Sequence, residues 1–150
     1  LAISWDGKTI VYGGEGKLLS MRHTKTGKPI RSFPINGQPN RAVALSRQGS
    51  LLAVGSSTEI ILWNSHYRKK LLQLKGHTKT ISSLSFSADS QILVSGSYDK
   101  TVRLWNANTG ETLDILTGHR AAVCSVAYSL DGKLIASSSA DKTVRLWHRS

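Results

Sequence analysis

Histidine, serine and aspartate, the side chains of an acyl-transfer triad, stand at close spacing in the third quarter of the chain as His77, Ser95, Ser97 and Asp99. In a triad the serine oxygen attacks a carbonyl, the imidazole takes its proton and the carboxylate orients the imidazole. This needs one exposed serine at a cleft beside an oxyanion hole. The same residue types recur 42 positions later as His119, Ser137, Ser139 and Asp141, and each set is followed by a tryptophan, Trp105 or Trp147. A set that occurs twice in tandem, each time with its own tryptophan, points to structure and away from catalysis.

Metal chemistry is equally poorly supplied. Of the five histidines, His23, His66 and His148 fall in or near connecting segments, far apart and without the close ligand spacing of a zinc site. The run Gly13-Gly14-Glu15-Gly16 lacks the helix and lysine with which a glycine-rich loop cradles phosphate. No catalytic residue, metal or cofactor is expected. The single cysteine, Cys124, excludes an internal disulfide, and its place in an apolar run predicts a small packed side chain in a reducing compartment.

The elements that must position these residues come from a longer repeat. Residues 118–147 shifted back by 42 bring Gly118, His119, Ser129, Asp131 and Trp147 onto Gly76, His77, Ser87, Asp89 and Trp105, and a second shift of 42 reaches Trp63. Self-similarity at roughly 40 to 45 residues is the mark of stacked four-stranded blades. The single domain divides into units of approximately 1–36, 37–75, 76–117 and 118–150. Residues 2–22 align without a gap on 127–147, which makes Trp5 a turn residue and puts Arg22 in the tryptophan slot, Gly16 in the aspartate slot and Tyr12 in the serine slot. The second unit carries Gln38 for the histidine and, over Ser57-Thr58-Glu59, no aspartate.

Apolar, β-rich runs such as 51–54, 60–63, 81–86 and 102–105, bounded by Gly, Ser, Asn and Asp, read as strands, and 64–70 reads as a polar loop. No helical period is present. The count is 14 strands with a stub at 2–4, so the fold class is all-β.

The strings Gly-His, Ser-x-Asp and Ser-x-Ser-x-Asp-Lys-Thr-Val-Arg-Leu-Trp, twice over, closely resemble the WD-repeat β-propeller family. The resemblance is strong over 76–147 and weak over 2–63. It implies antiparallel four-stranded blades set radially about a channel, about three and a half of them here. It also implies a structural hydrogen-bond chain in each complete blade: Asp99, His77, Ser95 and Trp105, then Asp141, His119, Ser137 and Trp147, with Ser97 and Ser139 as the alternative serines. Indole N–H, hydroxyl, imidazole and carboxylate can satisfy one another in that sequence.

For function the resemblance implies a non-catalytic platform for other proteins. The candidate partner contacts are Lys79, Tyr98, Lys100, Arg120 and Ala140, which flank the network. The net charge of +11, with 20 Lys and Arg against 9 Asp and Glu, favours acidic partners and keeps nucleic acid as the alternative. Cations on both rims, Lys79, Lys100 and Arg120 on one and Lys28, Arg68 and Lys133 on the other, are unlike the single track with interleaved aromatics of a single-strand groove. With no run of 18 apolar residues and no secretory leader, the reading is a cytoplasmic or nuclear protein. The missing blades are expected from a longer parent chain, with a second copy as the other source.

Overall fold

The computed structural model describes residues 1–13, 18–35, 40–66 and 68–149. The slots assigned to Gly16 and Gln38 lie outside the described residues. Fifteen strands are present among the described residues, in four sheets, each antiparallel and each in simple sequence order. The first blade comprises β1 (Ala2–Ile3), β2 (Thr9–Gly13), β3 (Leu18–His23) and β4 (Pro29–Pro34). The second comprises β5 (Asn40–Leu45), β6 (Leu51–Ser56), β7 (Glu59–Asn64) and β8 (Lys69–Lys75). The third comprises β9 (Ile81–Phe86), β10 (Ile92–Ser97), β11 (Val102–Asn106) and β12 (Thr112–Leu116), and the fourth β13 (Val123–Tyr128), β14 (Leu134–Ser139) and β15 (Val144–His148). The stub at the start of the chain is the inner strand of the first blade. No helix of the described residues is long and apolar enough to cross a membrane.

Strand β10, in which all six residues are buried, is covered on both faces because the third sheet is packed between two neighbours. The cores accordingly lie between blades. Leu19, Phe33, Leu52 and Val54 join the first to the second. Ile60, Leu62, Leu74, Ile81, Leu93 and Trp105 join the second to the third. Val94, Val102, Leu104, Val123 and Ile135 join the third to the fourth. Near the axis the inner strands are also tied by hydrogen bonds: Ser82 Oγ donates to Val123 O (2.6 Å), and Ser83 and Ser85 Oγ accept from Val126 N (3.1 Å) and Tyr128 N (3.2 Å). Close approach demands glycine at the seam, since a Cβ on Gly96 would lie 2.7 Å from Val123 Cγ1 and one on Gly55 2.9 Å from Ile81 Cγ2.

Two expectations need correction. Cys124 is exposed, not packed: it occupies on β13 the position that Ser82 holds on β9, where the following blade provides the cover. Lys69 and Lys70 belong to β8, not to a loop, pairing with Asn64 and Trp63 on an outer strand whose edge tolerates exposed cations. The fourth sheet has three strands, and its outward face is bare: Val144 and Leu146 are 70% and 63% exposed, whereas Val102 and Leu104, their counterparts one blade back, are 0% and 4% exposed. Trp5 sits in the β1–β2 turn, 57% exposed, with the Arg47 guanidinium 4.6 Å from its ring centroid.

Candidate functional site

The β10–β11 hairpin closes through Tyr98, Asp99, Lys100 and Thr101, and its geometry depends on Asp99. Its Oδ1 accepts from Thr101 N (2.9 Å) and Thr101 Oγ1 (2.6 Å). Lys100 adopts a left-handed backbone, φ 75°, to complete the turn. The other carboxylate oxygen, Oδ2, reaches the segment before β9, accepting from Thr78 N (3.1 Å) and lying 2.7 Å from His77 Nδ1. His77 Nε2 is 2.7 Å from Ser95 Oγ, and Trp105 Nε1 donates to the same Oγ at 2.8 Å.

One proton arrangement satisfies every atom: the indole N–H donates to Ser95 Oγ, the hydroxyl donates to His77 Nε2, and Nδ1–H donates to the carboxylate. It requires a neutral imidazole. Burial lowers the His77 pKa, only partly offset by Asp99, which agrees with that state. For Asp99 burial works upward, but hydrogen bonds from the Thr101 and His77 side chains and from Thr101 and Thr78 N–H outweigh it and bring the carboxyl to about 2.

The fourth blade repeats the arrangement, with His119 Nδ1 2.9 Å from Asp141 Oδ2, His119 Nε2 2.8 Å from Ser137 Oγ and Trp147 Nε1 2.9 Å from the same Oγ. The Thr143 hydroxyl, aided by Arg120 N–H and His119 against the effect of burial, holds the Asp141 carboxyl below its usual value. Ser97 and Ser139 do a different job. Each accepts from the turn aspartate's N–H and donates to a loop carbonyl, Lys79 O or Ala121 O.

The Ser95–His77–Asp99 distances are those of a triad, yet Ser95 is 0% exposed and its oxygen already takes the Trp105 N–H, so no carbonyl can reach it. Among the described residues no group of three or more His, Cys, Asp or Glu could hold a metal ion.

The first two blades lack this chain. In the second, Val54 fills the serine slot, pairing with Ile61 as Ser95 pairs with Arg103, and the buried Trp63 Nε1 has no hydrogen-bond partner among the described residues. Trp63 meets Phe33 edge-on instead, ring centroids 5.9 Å apart. In the first, Arg22 occupies the tryptophan slot and donates from Nη1 to Gly27 O (2.9 Å).

Sequence reasoning missed Thr101 and Thr143, which hold the aspartates, and Arg103 and Arg145, whose guanidiniums lie 5.9 and 5.8 Å from the Trp105 and Trp147 ring centroids. The signal was available, since the string Asp-Lys-Thr-Val-Arg-Leu-Trp is identical in both copies. The rim candidates Lys79, Tyr98, Lys100, Arg120 and Ala140 are all exposed around the two aspartate turns, with Tyr98 N bonded to Thr80 O and Ala140 N to Ala122 O.

The model of the WD domain, G-beta repeat, matches residues 68–106 and 110–148, more than half of the chain and largely the two blades with complete hydrogen-bond chains. The chain belongs to the WD-repeat family. Among curated relatives of this WD-repeat chain, Protein ROOT INITIATION DEFECTIVE 3 of Arabidopsis thaliana is 34% identical over 89 residues, 59% of this chain and 20% of that protein. U3 small nucleolar RNA-associated protein 13 of Saccharomyces cerevisiae is 41% identical over 87 residues, 57% of this chain and 10% of that protein. The guanine nucleotide-binding protein subunit beta of Schizosaccharomyces pombe is 34% identical over 68 residues, 45% and 22% of the respective chains. The chain thus spans less than a quarter of the length of each of these relatives.

Proposed function

We propose that this WD-repeat chain is a non-catalytic interaction platform that binds acidic protein partners through the rim carrying Asp99 and Asp141. The observation that carries this reading is the division of labour on that rim. The histidines, serines and aspartates are consumed by hydrogen bonds inside the blades, while Lys79, Tyr98 and Lys100 on one blade and Arg120 and Ala140 on the next are exposed beside them, and all of these but Lys100, matched by Lys142, differ between the two copies. Tyr98 is the favoured anchor, because binding energy concentrates in Tyr, Trp and Arg. The test is capture of proteins from a cell extract by the chain and by Tyr98→Ala, Lys100→Glu and Arg120→Glu variants. Loss of the same captured bands in all three is the expected result, and undiminished capture by all three would overturn the choice of rim.

Nucleic-acid binding is the second reading, favoured by the +11 charge and by a relative whose name places it with small nucleolar RNA. It predicts affinity that falls steeply with salt. Absence of RNA binding at low salt would remove it. We place the protein in the cytoplasm or nucleus.

A further inference from the structure

A cleft of about 430 Å³ opens between the first and second blades on the rim opposite the aspartate turns, lined among others by Thr9, His23, Arg31, Arg47, Ser65 and His66. Strand register shows what makes it different from the next seam. Thr9 pairs with His23 as Leu51 pairs with Asn64, and Met21 with Arg31 as Leu62 with Leu72. In the turns and loops, Arg47 corresponds to Ala88, Ser65 to Ala107 and His66 to Asn108. At the second seam Leu51, Leu72 and Phe86 pack on a core that includes Ala107. The first seam thus places two guanidiniums and two hydroxyls, Arg31, Arg47, Thr9 and Ser65, where the second has Leu72, Ala88, Leu51 and Ala107, and adds the imidazoles of His23 and His66 where the second has Asn64 and Asn108.

The cationic groups are held in place. Arg31 Nη1 donates to Ser65 O (3.4 Å), and Arg47 is stacked on Trp5. The acid in the wall, Asp6, is spoken for: Ser4 Oγ donates to it at 2.7 Å, Lys8 N at 3.0 Å, and Lys8 Nζ lies 3.9 Å away. What remains for a ligand is positive charge and N–H donors around one compact volume, within the size range of pockets that take small groups.

We propose that this cleft binds a phosphomonoester, specifically a phosphorylated serine or threonine of a partner protein. A phosphomonoester carries a charge of about −1.5 to −2 and three acceptor oxygens, which matches two arginine forks better than a singly charged diester does. The donors line one cleft between two blades and form no track along which a nucleic-acid backbone could run. This site is independent of the platform surface proposed above.

Calorimetric titration of the 150-residue chain tests it with three probes: a capped Ala-phosphoserine-Ala peptide, inorganic phosphate, and a single-stranded RNA without terminal phosphate. The expected result is saturable binding of the phosphopeptide, tighter than that of inorganic phosphate, and none of its unphosphorylated form. Binding should weaken about tenfold or more in Arg31→Gln and in Arg47→Gln and stay unchanged in Tyr98→Ala. Arg47 is exposed, so its variant decides the matter even where Arg31→Gln lowers stability. Phosphopeptide affinity unaltered by Arg47→Gln overturns the site. Tighter binding of inorganic phosphate than of the phosphopeptide overturns the assigned source, and RNA binding abolished by the same arginine variants overturns it in favour of nucleic acid.

Discussion

Trp105 and Trp63 occupy the same slot in adjacent blades, but among the described residues only Trp105 of the two has an acceptor for its indole N–H. Trp105→Ala is expected to cost about 3–5 kcal/mol through the cavity it leaves, and Trp147→Ala less, because Trp147 is only half-buried. Trp5→Ala should change stability little, its ring being exposed. The sharper comparison is Trp→Phe: at position 105 it removes the N–H that Ser95 Oγ accepts, about 1 kcal/mol beyond packing, whereas at 63 it removes a buried donor that has no partner among the described residues. Urea midpoints of the two variants check this, and equal losses would contradict it. The network also makes stability depend on pH. The native His77 has a depressed pKa, so as pH falls below about 6.5 the unfolded chain takes up the proton first and stability declines. Asp99 adds a second decline, beginning near 3.8 and complete near 2. A urea midpoint constant between pH 7 and 5 would contradict the neutral-imidazole arrangement. The polar members of this chain were legible in the sequence because their identities and spacing repeat. Val54 was not, because a missing hydroxyl leaves no mark until register aligns it with Ser95.

At the level of strands and turns, apolar β-rich runs and the turn residues that bound them made nearly every element readable, while blade-to-blade contact was not. Cys124 shows why. Its sequence surroundings resemble those of Ser82, and only the absence of a covering sheet beside β13 makes it exposed. The seam glycines give the converse test. Gly96→Ala should cost about 1–3 kcal/mol by overpacking against Val123, but Ser138→Ala, at the corresponding place on the uncovered fourth sheet, should stay within about 0.5 kcal/mol. Thermal melts of the two variants check the pair. The second blade's β6–β7 hairpin was foreseen to lack its aspartate; the structure closes it from Ser56 to Glu59 with Ser57 at φ 52°. The cationic cleft was invisible in the sequence for a related reason: Arg31, Arg47 and the two histidines are scattered over 44 positions and meet only where two sheets face each other.

For the whole molecule, the bare face of Val144 and Leu146 sets the behaviour of the isolated chain. Val102 and Leu104 are covered by Val123 and Val126 of the following sheet, and the fourth sheet calls for the same cover. The 150-residue chain alone is therefore expected to associate, an exposed edge and apolar face inviting pairing. Light scattering on the purified chain measures this, and a compact, cooperatively melting monomer would refute it. Because the cores lie between sheets, the order in which the chain leaves the ribosome also matters. A blade completes its packing only after the next one has been made. At about 5–20 residues per second, a repeat of 42 residues takes about 2–8 s, and for that interval the newest sheet presents its apolar face to the cytosol, where a chaperone or another nascent chain can reach it first.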